Sequence, residues 1–148
     1  MDIREIVTDK KRFLDLLLLG DEQEDMIDRY LDRGQLFALY DEGTLRGICV
    51  LTREGPEVFE IKNLSVYEQY QRMGYGRALI EYAAGRCRGE GKTLLVGTGD
   101  SPGTLPFYRR CGFVFSHVVE NFFTDNYDHP IWDGGALLRD MIYLKREL

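Results

Sequence analysis

The sequence predicts a mixed α/β (α+β) protein whose twisted, mostly antiparallel sheet is flanked by helices and contains a central βαβ unit. Three consecutive β-rich runs between residues 35 and 67 are separated by glycine-containing turns, a pattern typical of an antiparallel meander. The last of these runs is followed by a helix and then by a further strand. This strand–helix–strand order favours a parallel strand pair joined by a crossover. No repeat, low-complexity stretch or linker divides the 148 residues, so we expect a single domain over residues 1–148.

The first 34 residues predict one strand and two helices. The run DIREIV alternates polar and apolar residues and indicates a short strand. Apolar residues then recur at helical spacing, with Gly20 and Gly34 as the expected helix ends. These apolar positions are Phe13, Leu16, Leu17, Met26, Ile27, Tyr30 and Leu31. We interpret the acidic residues near the second helix as a solvated face, with attraction of a cationic ligand as the alternative. They are Asp21, Glu22, Glu24, Asp25 and Asp28.

The second half of the chain completes the βαβ unit and adds two closing strands. An apolar stripe predicts a helix from about Gly76 to Arg88, and KTLLVGTG predicts a short buried strand after it. The run TLPFYRRCGF predicts a brief helix that ends at Gly112. FVFSHVVENFF and DMIYLKREL predict the last two strands. Residues 121–139 between them are longer and less regular than a hairpin requires, and long connections in compact domains are often functional.

The strand within residues 57–67 changes the face on which its apolar side chains lie. Phe59 and Ile61 are apolar at odd positions, whereas Leu64 and Val66 are apolar at even positions. Because side chains alternate between the two faces of a sheet, this change requires one extra residue in the strand. We therefore predict a β-bulge near Lys62–Asn63. A bulge frees main-chain N–H and C=O groups, which then need other partners.

The composition argues against several classes of function. A net charge of −6 and a pI of about 5.0 disfavour nucleic-acid binding, which depends on clustered Lys and Arg. Apolar runs such as Leu16 to Leu19 are too short to cross a membrane, and the first residues lack the apolar core of a signal peptide. Three separated cysteines and two histidines form no metal-ligand pattern. We expect a cytoplasmic protein with reduced thiols and without a metal, membrane or nucleic-acid partner.

A glycine-rich turn precedes the central helix. Its sequence is QRMGYG, and its two glycines, Gly74 and Gly76, lie between Arg72 and Arg77. The dinucleotide fingerprint would require a small residue in place of Leu79, and the later run GEGKT lacks the spacing of a triphosphate loop, so we reject both. The first N–H groups of a helix have no partner inside it and attract anions. The turn therefore indicates a pyrophosphate site, with a plain glycine-rich turn and solvated arginines as the alternative.

These motifs resemble those of the GNAT superfamily of N-acetyltransferases. The run LSVYEQYQRMGYGRALI is similar to the family's acetyl-coenzyme A motif, a strand followed by Q/R-x-x-G-x-G/A and a helix. The run LLVGTGDSPGTLPFYRRCGF is similar to the family's next strand and short helix, which end in F-Y-x-x-x-G-F. The order of the elements matches over essentially the whole chain. The resemblance is therefore more specific than a single motif.

The resemblance implies that acetyl-CoA lies where two strands of the sheet splay apart. Its pantetheine arm would pair with the main chain of Leu64 and Val66, and the N–H of Leu64 or Ser65 would donate to the thioester carbonyl. The pyrophosphate would lie on the turn formed by Gln71, Arg72, Met73, Gly74, Tyr75, Gly76 and Arg77. Asp100 stands where the family often has Asn, so an ionised Asp100 could accept hydrogen bonds from the cofactor but not donate them.

The implied reaction moves an acetyl group from the thioester to a primary amine. The family motif places Tyr108 to protonate the departing sulfur, and a core tyrosine without a catalytic role is the alternative. For the base we name Glu60, acting through water, against the alternative of a solvated strand carboxylate. His129 is the second choice of base. His117 fits a surface or packing position, and Cys111 fits a buried small residue.

The residues leave two functions open. An acetyl-CoA-dependent N-acetyltransferase is the leading hypothesis, and a non-catalytic acyl-coenzyme A-binding or regulatory module with the same fold is the alternative. Tyr108 favours catalysis. The acceptor could be a small amine, an amino acid, an aminoglycoside or a protein N-terminus. Residues 121–139 would either wall the acceptor pocket or meet another subunit, and a homodimer is one option because dimers are frequent among similar proteins.

Overall fold

The computed structural model describes residues 1–100 and 103–148; residues 101 and 102, inside the run LLVGTGDSPGTLPFYRRCGF, lie outside the described part. The strands are β1 Asp2–Ile6, β2 Gln35–Asp41, β3 Thr44–Gly55, β4 Val58–Val66, β5 Thr93–Gly99, β6 Val114–Val119, β7 Trp132–Asp133, β8 Ala136–Leu137 and β9 Met141–Glu147. The α-helices are α1 Leu14–Gly20, α2 Glu24–Asp28, α3 Tyr75–Cys87, α4 Thr104–Arg110 and α5 Phe122–Asn126. Short 3-10 helices, Lys10–Phe13 and Glu68–Tyr70, precede α1 and α3. None of the helices described here is long and apolar enough to cross a membrane.

Seven strands form one sheet in the order β1-β2-β3-β4-β5-β9-β6. β4 and β5 run parallel, and all other neighbouring pairs in this sheet are antiparallel. The predicted mixed, mostly antiparallel sheet with a central βαβ unit is therefore confirmed. The last strand, β9, lies between β5 and β6, a position that no local sequence pattern indicated.

The sheet separates two apolar cores. Alternate residues of β2 contribute to each of them, because successive side chains of a strand point to opposite faces. Phe37 and Leu39 pack with the buried residues of α3, whereas Leu36 and Ala38 pack with those of α1 and α2. Burial on both faces explains why this strand reads as a nearly continuous apolar run in the sequence.

The predicted bulge is present in β4. Val50 of β3 is opposite Asn63, but the next residue, Leu51, is opposite Ile61. Lys62 is thus the extra residue, without a partner on β3. Because of this extra residue, the apolar side chains before and after the bulge all lie on the α3 face of the sheet. This explains why the apolar residues change from odd to even positions in the sequence.

β4 and β5 separate beyond the bulge. They pair only from Val58 opposite Thr93 to Ile61 opposite Val96. From there β4 continues along β3 as far as Val66, while β5 continues along β9 as far as Gly99. The strands therefore diverge because each follows its other neighbour, which confirms the predicted splayed parallel pair.

The second helix is shorter than its apolar spacing predicted. α2 ends at Asp28, and the chain continues through two helix-like turns to Gly34. Leu31 N bonds to the Ile27 carbonyl at 3.1 Å, and Gly34 N bonds to the Tyr30 carbonyl at 2.9 Å. The apolar face is thus kept without a continuous helix.

Residues 121–139 fold into ordered structure of their own. After α5, the β7–β8 hairpin turns at Gly134 and Gly135, whose φ values are 58° and 81°. Two consecutive residues with positive φ are typical of a tight hairpin turn. Phe123, Ile131 and Leu138 form a small buried cluster beneath it. The segment is therefore a folded wall beside the sheet.

Candidate active site

The divergence of β4 and β5 opens a cavity of about 720 Å³, within the range of small-molecule sites. Residues 61–66 of β4 and 96–99 of β5 form its sides. The end of α1, α4 and residues 121–139 complete the wall. Of the residues predicted to bind acetyl-CoA, those lining this cavity are Leu64, Ser65, Val66, Gln71 and Tyr108.

The buried side chain of Asn63 ties the bulge to α1. Its Nδ2 donates to the Leu17 carbonyl at 2.9 Å and to the Tyr30 hydroxyl at 3.1 Å. Its Oδ1 accepts from Ser65 Oγ at 2.7 Å. Gly20, at the end of α1, lies so close that a Cβ there would overlap Ser65 Oγ and Asn63 Oδ1. This close approach fixes α1 against one side of the cavity.

The turn before α3 leaves main-chain N–H groups available to an anion. It follows Gln71, and Arg72 and Gly74 adopt left-handed conformations with φ of 64° and 90°. Gly74 is the N-cap residue and provides no side-chain cap; the first bond to it runs from Ala78 N to its carbonyl at 3.0 Å. The exposed Arg72 and Arg77 form no ion pair within the described residues. Open N–H groups beside two cations fit a pyrophosphate group.

Gly76 and Tyr75 have a packing role that the sequence did not indicate. A Cβ at Gly76 would lie 3.1 Å from Phe107 Cζ, so this glycine lets α3 approach α4 closely. The side chain of Tyr75 is buried, and its hydroxyl donates to Asp41 Oδ2 at 2.7 Å. Only the main chain of these two residues is therefore available to the predicted pyrophosphate.

Tyr108 reaches the cavity from α4. Its side chain is 8% exposed and packs edge-on against Phe107 and Phe113, at centroid distances of 5.2 and 5.7 Å. Its hydroxyl has no hydrogen-bond partner among the described residues. Every fully buried side-chain oxygen among these residues does have a partner, so the Tyr108 hydroxyl is not fully buried and reaches the cavity. Burial raises the pKa of Tyr108. At neutral pH it is therefore a hydrogen-bond donor facing the cleft.

A second cavity, of about 150 Å³, adjoins the first. A protein cavity of roughly this volume can hold benzene, so a small group fits here. The two cavities share the wall residues Asp21, Ile61, Lys62, Gly97, Tyr127 and Met141. A donor in the larger cavity and an acceptor in the smaller one would meet at these residues.

Glu60 lies in the wall of the smaller cavity and is only 6% exposed, so it is not a solvated carboxylate. Lys62 Nζ is 3.1 Å from its Oε2, and the Tyr143 hydroxyl donates to the same oxygen at 3.3 Å. Burial raises the pKa of Glu60, and the charge of Lys62 opposes part of this rise. A carboxylate with a raised pKa holds a proton more readily, as a general base must.

Asp21 joins the smaller cavity to the segment 121–139. It accepts hydrogen bonds from the Tyr30 hydroxyl at 3.0 Å and from the Tyr127 hydroxyl at 2.6 Å. Burial raises the pKa of Asp21, and the two hydroxyls partly offset the rise. Asp21 is thus not part of a solvated acidic face, which corrects that expectation. No local pattern distinguishes it from its acidic neighbours, and Tyr127 is 106 residues away in the chain.

Asp100 and the second candidate base, His129, lie outside both cavity walls, as do residues 72–77 of the turn before α3. Asp100 is exposed and is not among the described residues that line either cavity. His129 is also absent from these linings, and its Nδ1 lies 2.6 Å from Asp128 Oδ1. Of the two candidate bases, only Glu60 lines a cavity.

The remaining sequence candidates occupy structural positions. His117 stacks on the Tyr143 ring at a centroid distance of 4.7 Å, as a packing residue. Cys111 is buried and has a free thiol. In the part of the chain that the structure describes, no group of three His, Cys, Asp or Glu side chains is arranged to hold a metal ion.

Comparison with known proteins places this architecture in a family. Residues 2–113 match the model of the Acetyltransferase (GNAT) family. An uncharacterised N-acetyltransferase of Bacillus subtilis (strain 168), YvbK, is 36% identical over 136 residues, which cover 90% of this chain and 88% of the relative.

Two solved structures match nearly the whole chain. A GNAT family acetyltransferase from Elizabethkingia anophelis with acetyl-CoA bound is 36% identical, with a TM-score of 0.94 over 99% of this chain and 97% of that one. A Bacillus subtilis acetyltransferase in complex with CoA is 33% identical, with a TM-score of 0.90 over 99% and 97% of the two chains. With its splayed strands, its open turn before α3 and these relatives, the chain belongs to the GNAT family of acetyltransferases.

Proposed function

We propose that this chain transfers the acetyl group of acetyl-CoA to a primary amine of a small molecule or peptide, by direct attack of the amine on the thioester. The observation that carries this proposal is the junction of the two cavities. The larger cavity contains Tyr108 and borders the α3 turn, while the smaller one contains the buried carboxylate of Glu60. In this proposal Tyr108 acts as the proton donor from the larger cavity, and Glu60 acts as the proton acceptor from the smaller one.

Acetyl-CoA is the cosubstrate in this proposal, which is supported by the acetyl-CoA and CoA bound to two relatives. Its pyrophosphate would lie on the main-chain N–H groups of residues 71–77. Its pantetheine arm would lie along Leu64 and Val66, which are beyond the last residues that pair β4 with β5. The N–H of Leu64 or Ser65 would donate to the thioester carbonyl and stabilise the oxyanion that forms on attack.

Proton movement explains the roles of Glu60 and Tyr108. An alkyl amine with a pKa near 10.4 is protonated at neutral pH, which leaves roughly one part in 2,500 reactive. Glu60 would accept the amine's proton, directly or through water. Between an unperturbed tyrosine and a thiol, full proton transfer costs about 2 kcal/mol. Because burial raises the pKa of Tyr108, transfer costs more here, and a hydrogen bond to the departing sulfur is its main contribution.

The smaller cavity supports an acceptor with a small amine-bearing end. Its volume of about 150 Å³ accommodates a small molecule or one end of a peptide rather than a bulky group. The wall carries Arg29 and Arg33 as well as Asp21. Because both signs of charge are present, the acidic net charge of the chain does not by itself select a cationic acceptor.

A screen with purified protein tests the proposal. Acetyl-CoA would be incubated with a panel of amines, amino acids, aminoglycosides and peptides, with thiol release and product mass as readouts. We expect thiol release that depends on an acceptor and exceeds hydrolysis of the thioester alone. Saturable binding of coenzyme A with no turnover of any acceptor would instead favour the non-catalytic acyl-coenzyme A-binding or regulatory module.

We further propose that residues 1–148 act as one cytoplasmic domain that forms a homodimer, with no membrane or nucleic-acid partner. One sheet includes both β1 and β9, which supports a single domain. The three cysteines are free and buried, as suits a reducing compartment.

β6 is an edge strand with exposed Val114, Phe115 and Val118, and such edges favour pairing with another chain. The molar mass in solution, by light scattering, tests the dimer.

A further inference from the structure

Lys62 occupies the position where donor and acceptor would meet. It is the extra residue of the β4 bulge, and it is part of the wall of both cavities. The chain has five lysines, Lys10, Lys11, Lys62, Lys92 and Lys145. Of these, Lys62 is the one that appears among the described residues lining either cavity. A primary amine of the protein itself therefore lies at the proposed reaction site.

The surroundings of Lys62 are those that an acceptor amine requires. Its Nζ lies 3.1 Å from Glu60 Oε2, and its side chain is 21% exposed. An acceptor amine would approach the same carboxylate to lose its proton. The Lys62–Glu60 pair is thus an ammonium group beside a base, within the protein and next to the donor cavity.

We propose that Lys62 is acetylated by the acetyl-CoA site of its own chain, an inference that rests on the proposed function. Nζ, after losing a proton to Glu60, attacks the thioester carbonyl carbon; the N–C bond forms and the C–S bond breaks. Two protons leave the ammonium nitrogen in total. One ends on the coenzyme A sulfur, and the other passes through Glu60 to solvent. The products are an acetyl-lysine and free coenzyme A, with no oxidant or reductant involved.

A reaction within one chain has distinct kinetic properties. Because Lys62 is held beside the donor cavity, its effective concentration there is high. Its acetylation should be first order and independent of protein concentration. Acceptor amines compete for the same thioester and should protect Lys62. Acetylation removes the positive charge next to Glu60 and adds an acetyl group at the junction, so the turnover of free amines should fall as Lys62 is modified.

Mass spectrometry with deuterated acetyl-CoA tests the proposal. Intact mass gives the number of acetyl groups added, and peptide mapping assigns them among the five lysines. Lys92, whose side chain is 75% exposed, is the internal control for chemical acetylation. We expect Lys62 to be labelled at least about tenfold faster than Lys92, with an unchanged rate constant after tenfold dilution of the protein. Excess coenzyme A should suppress labelling of Lys62 but not of Lys92.

A variant examines the role of the base. Glu60→Gln keeps the shape of the side chain but cannot accept a proton, so labelling of Lys62 should slow by about tenfold or more while that of Lys92 stays the same. The unfolding curve of the variant shows whether it is folded. If it is not, suppression by coenzyme A in the unmodified protein still decides the question.

The outcomes separate this inference from the proposed function. Equal labelling of Lys62 and Lys92, or a rate that rises with protein concentration, would overturn self-acetylation. Turnover of free amines with Lys62 unlabelled in their absence would also overturn it, and would leave the proposed function intact. Labelling of Lys62 without turnover of any free amine would support self-acetylation and count against the proposed acceptors. No acetylation of either kind would refute both.

Discussion

Replacing Tyr108 by Phe would remove one hydroxyl group from the cleft and little else. The ring contacts with Phe107 and Phe113, at 5.2 and 5.7 Å, do not involve the hydroxyl. Among the described residues the hydroxyl has no hydrogen-bond partner to lose. We therefore expect the free energy of unfolding to change by less than about 0.5 kcal/mol, as for substitutions that break no packing or hydrogen bond.

The effect on catalysis should be much larger. Loss of a single hydrogen-bond donor to a charge that develops in the transition state lowers kcat by about 10²–10³-fold, or about 2.7–4 kcal/mol. The lower value fits Tyr108 better, because its raised pKa makes it a donor to the departing sulfur rather than a source of a fully transferred proton. The affinity for coenzyme A should stay within about twofold, since the proposed contacts with the pyrophosphate and the pantetheine arm are made by other residues.

Steady-state kinetics with the best acceptor of the amine screen would measure kcat, and calorimetry would measure the affinity for coenzyme A. Tyr40→Phe is a matched control, since Tyr40 is a partly buried tyrosine of the other core whose ring contact with Arg4 does not depend on its hydroxyl. We expect the control to keep its kcat. A folded Tyr108→Phe variant with unchanged kcat would show that Tyr108 is only a packing residue.

Three further substitutions test other parts of the site. Gly74→Val places a branched side chain at φ 90°, which costs about 1–3 kcal/mol locally and crowds the open N–H groups. Calorimetry should therefore show at least tenfold weaker coenzyme A binding. Unchanged affinity in folded protein would contradict the pyrophosphate site. For Glu60, kcat/KM should rise with pH through its raised pKa, because only the ionised form accepts a proton. With an acceptor amine of low pKa, Glu60→Gln should lose this rise of kcat/KM with pH. A pH profile identical to that of the unmodified protein would show that Glu60 is not the base. Asn63→Leu removes three buried hydrogen bonds, to the Leu17 carbonyl, to the Tyr30 hydroxyl and from the Ser65 hydroxyl. Urea unfolding should therefore show a loss of about 2–4 kcal/mol; a loss below about 1 kcal/mol would mean that Asn63 does not secure the bulge.

The features that sequence patterns predicted are those governed by local chemistry. The bulge at Lys62 was predictable because side chains alternate strictly along a strand, so a shift of parity within residues 59–66 had one simple cause. The turn at Gly74 was predictable because a glycine before a helix marks a conformation that other residues avoid. Both signals need only neighbouring residues, and both are confirmed as structure.

The features that were missed depend on contacts between distant residues. The burial of Asp21 arises from Tyr127, 106 residues away, and nothing near Asp21 in the sequence indicates it. The spacing predicted a continuous second helix, but the helix ends at Asp28. Tertiary packing requires only that the apolar face stays buried, and this does not need a continuous helix. The packing of Gly76 on Phe107 likewise becomes visible only in three dimensions.

The wall formed by residues 121–139 has a consequence for how such an enzyme can diversify. It lies after residue 113, where the match to the family model ends, and it contributes Phe122 and Tyr127 to the smaller cavity. Since it has a buried cluster of its own, we expect that it can be exchanged as a unit, although an exchange would also alter the part of the larger cavity wall that it forms. Engineering of acceptor preference would begin with grafts of this segment between relatives.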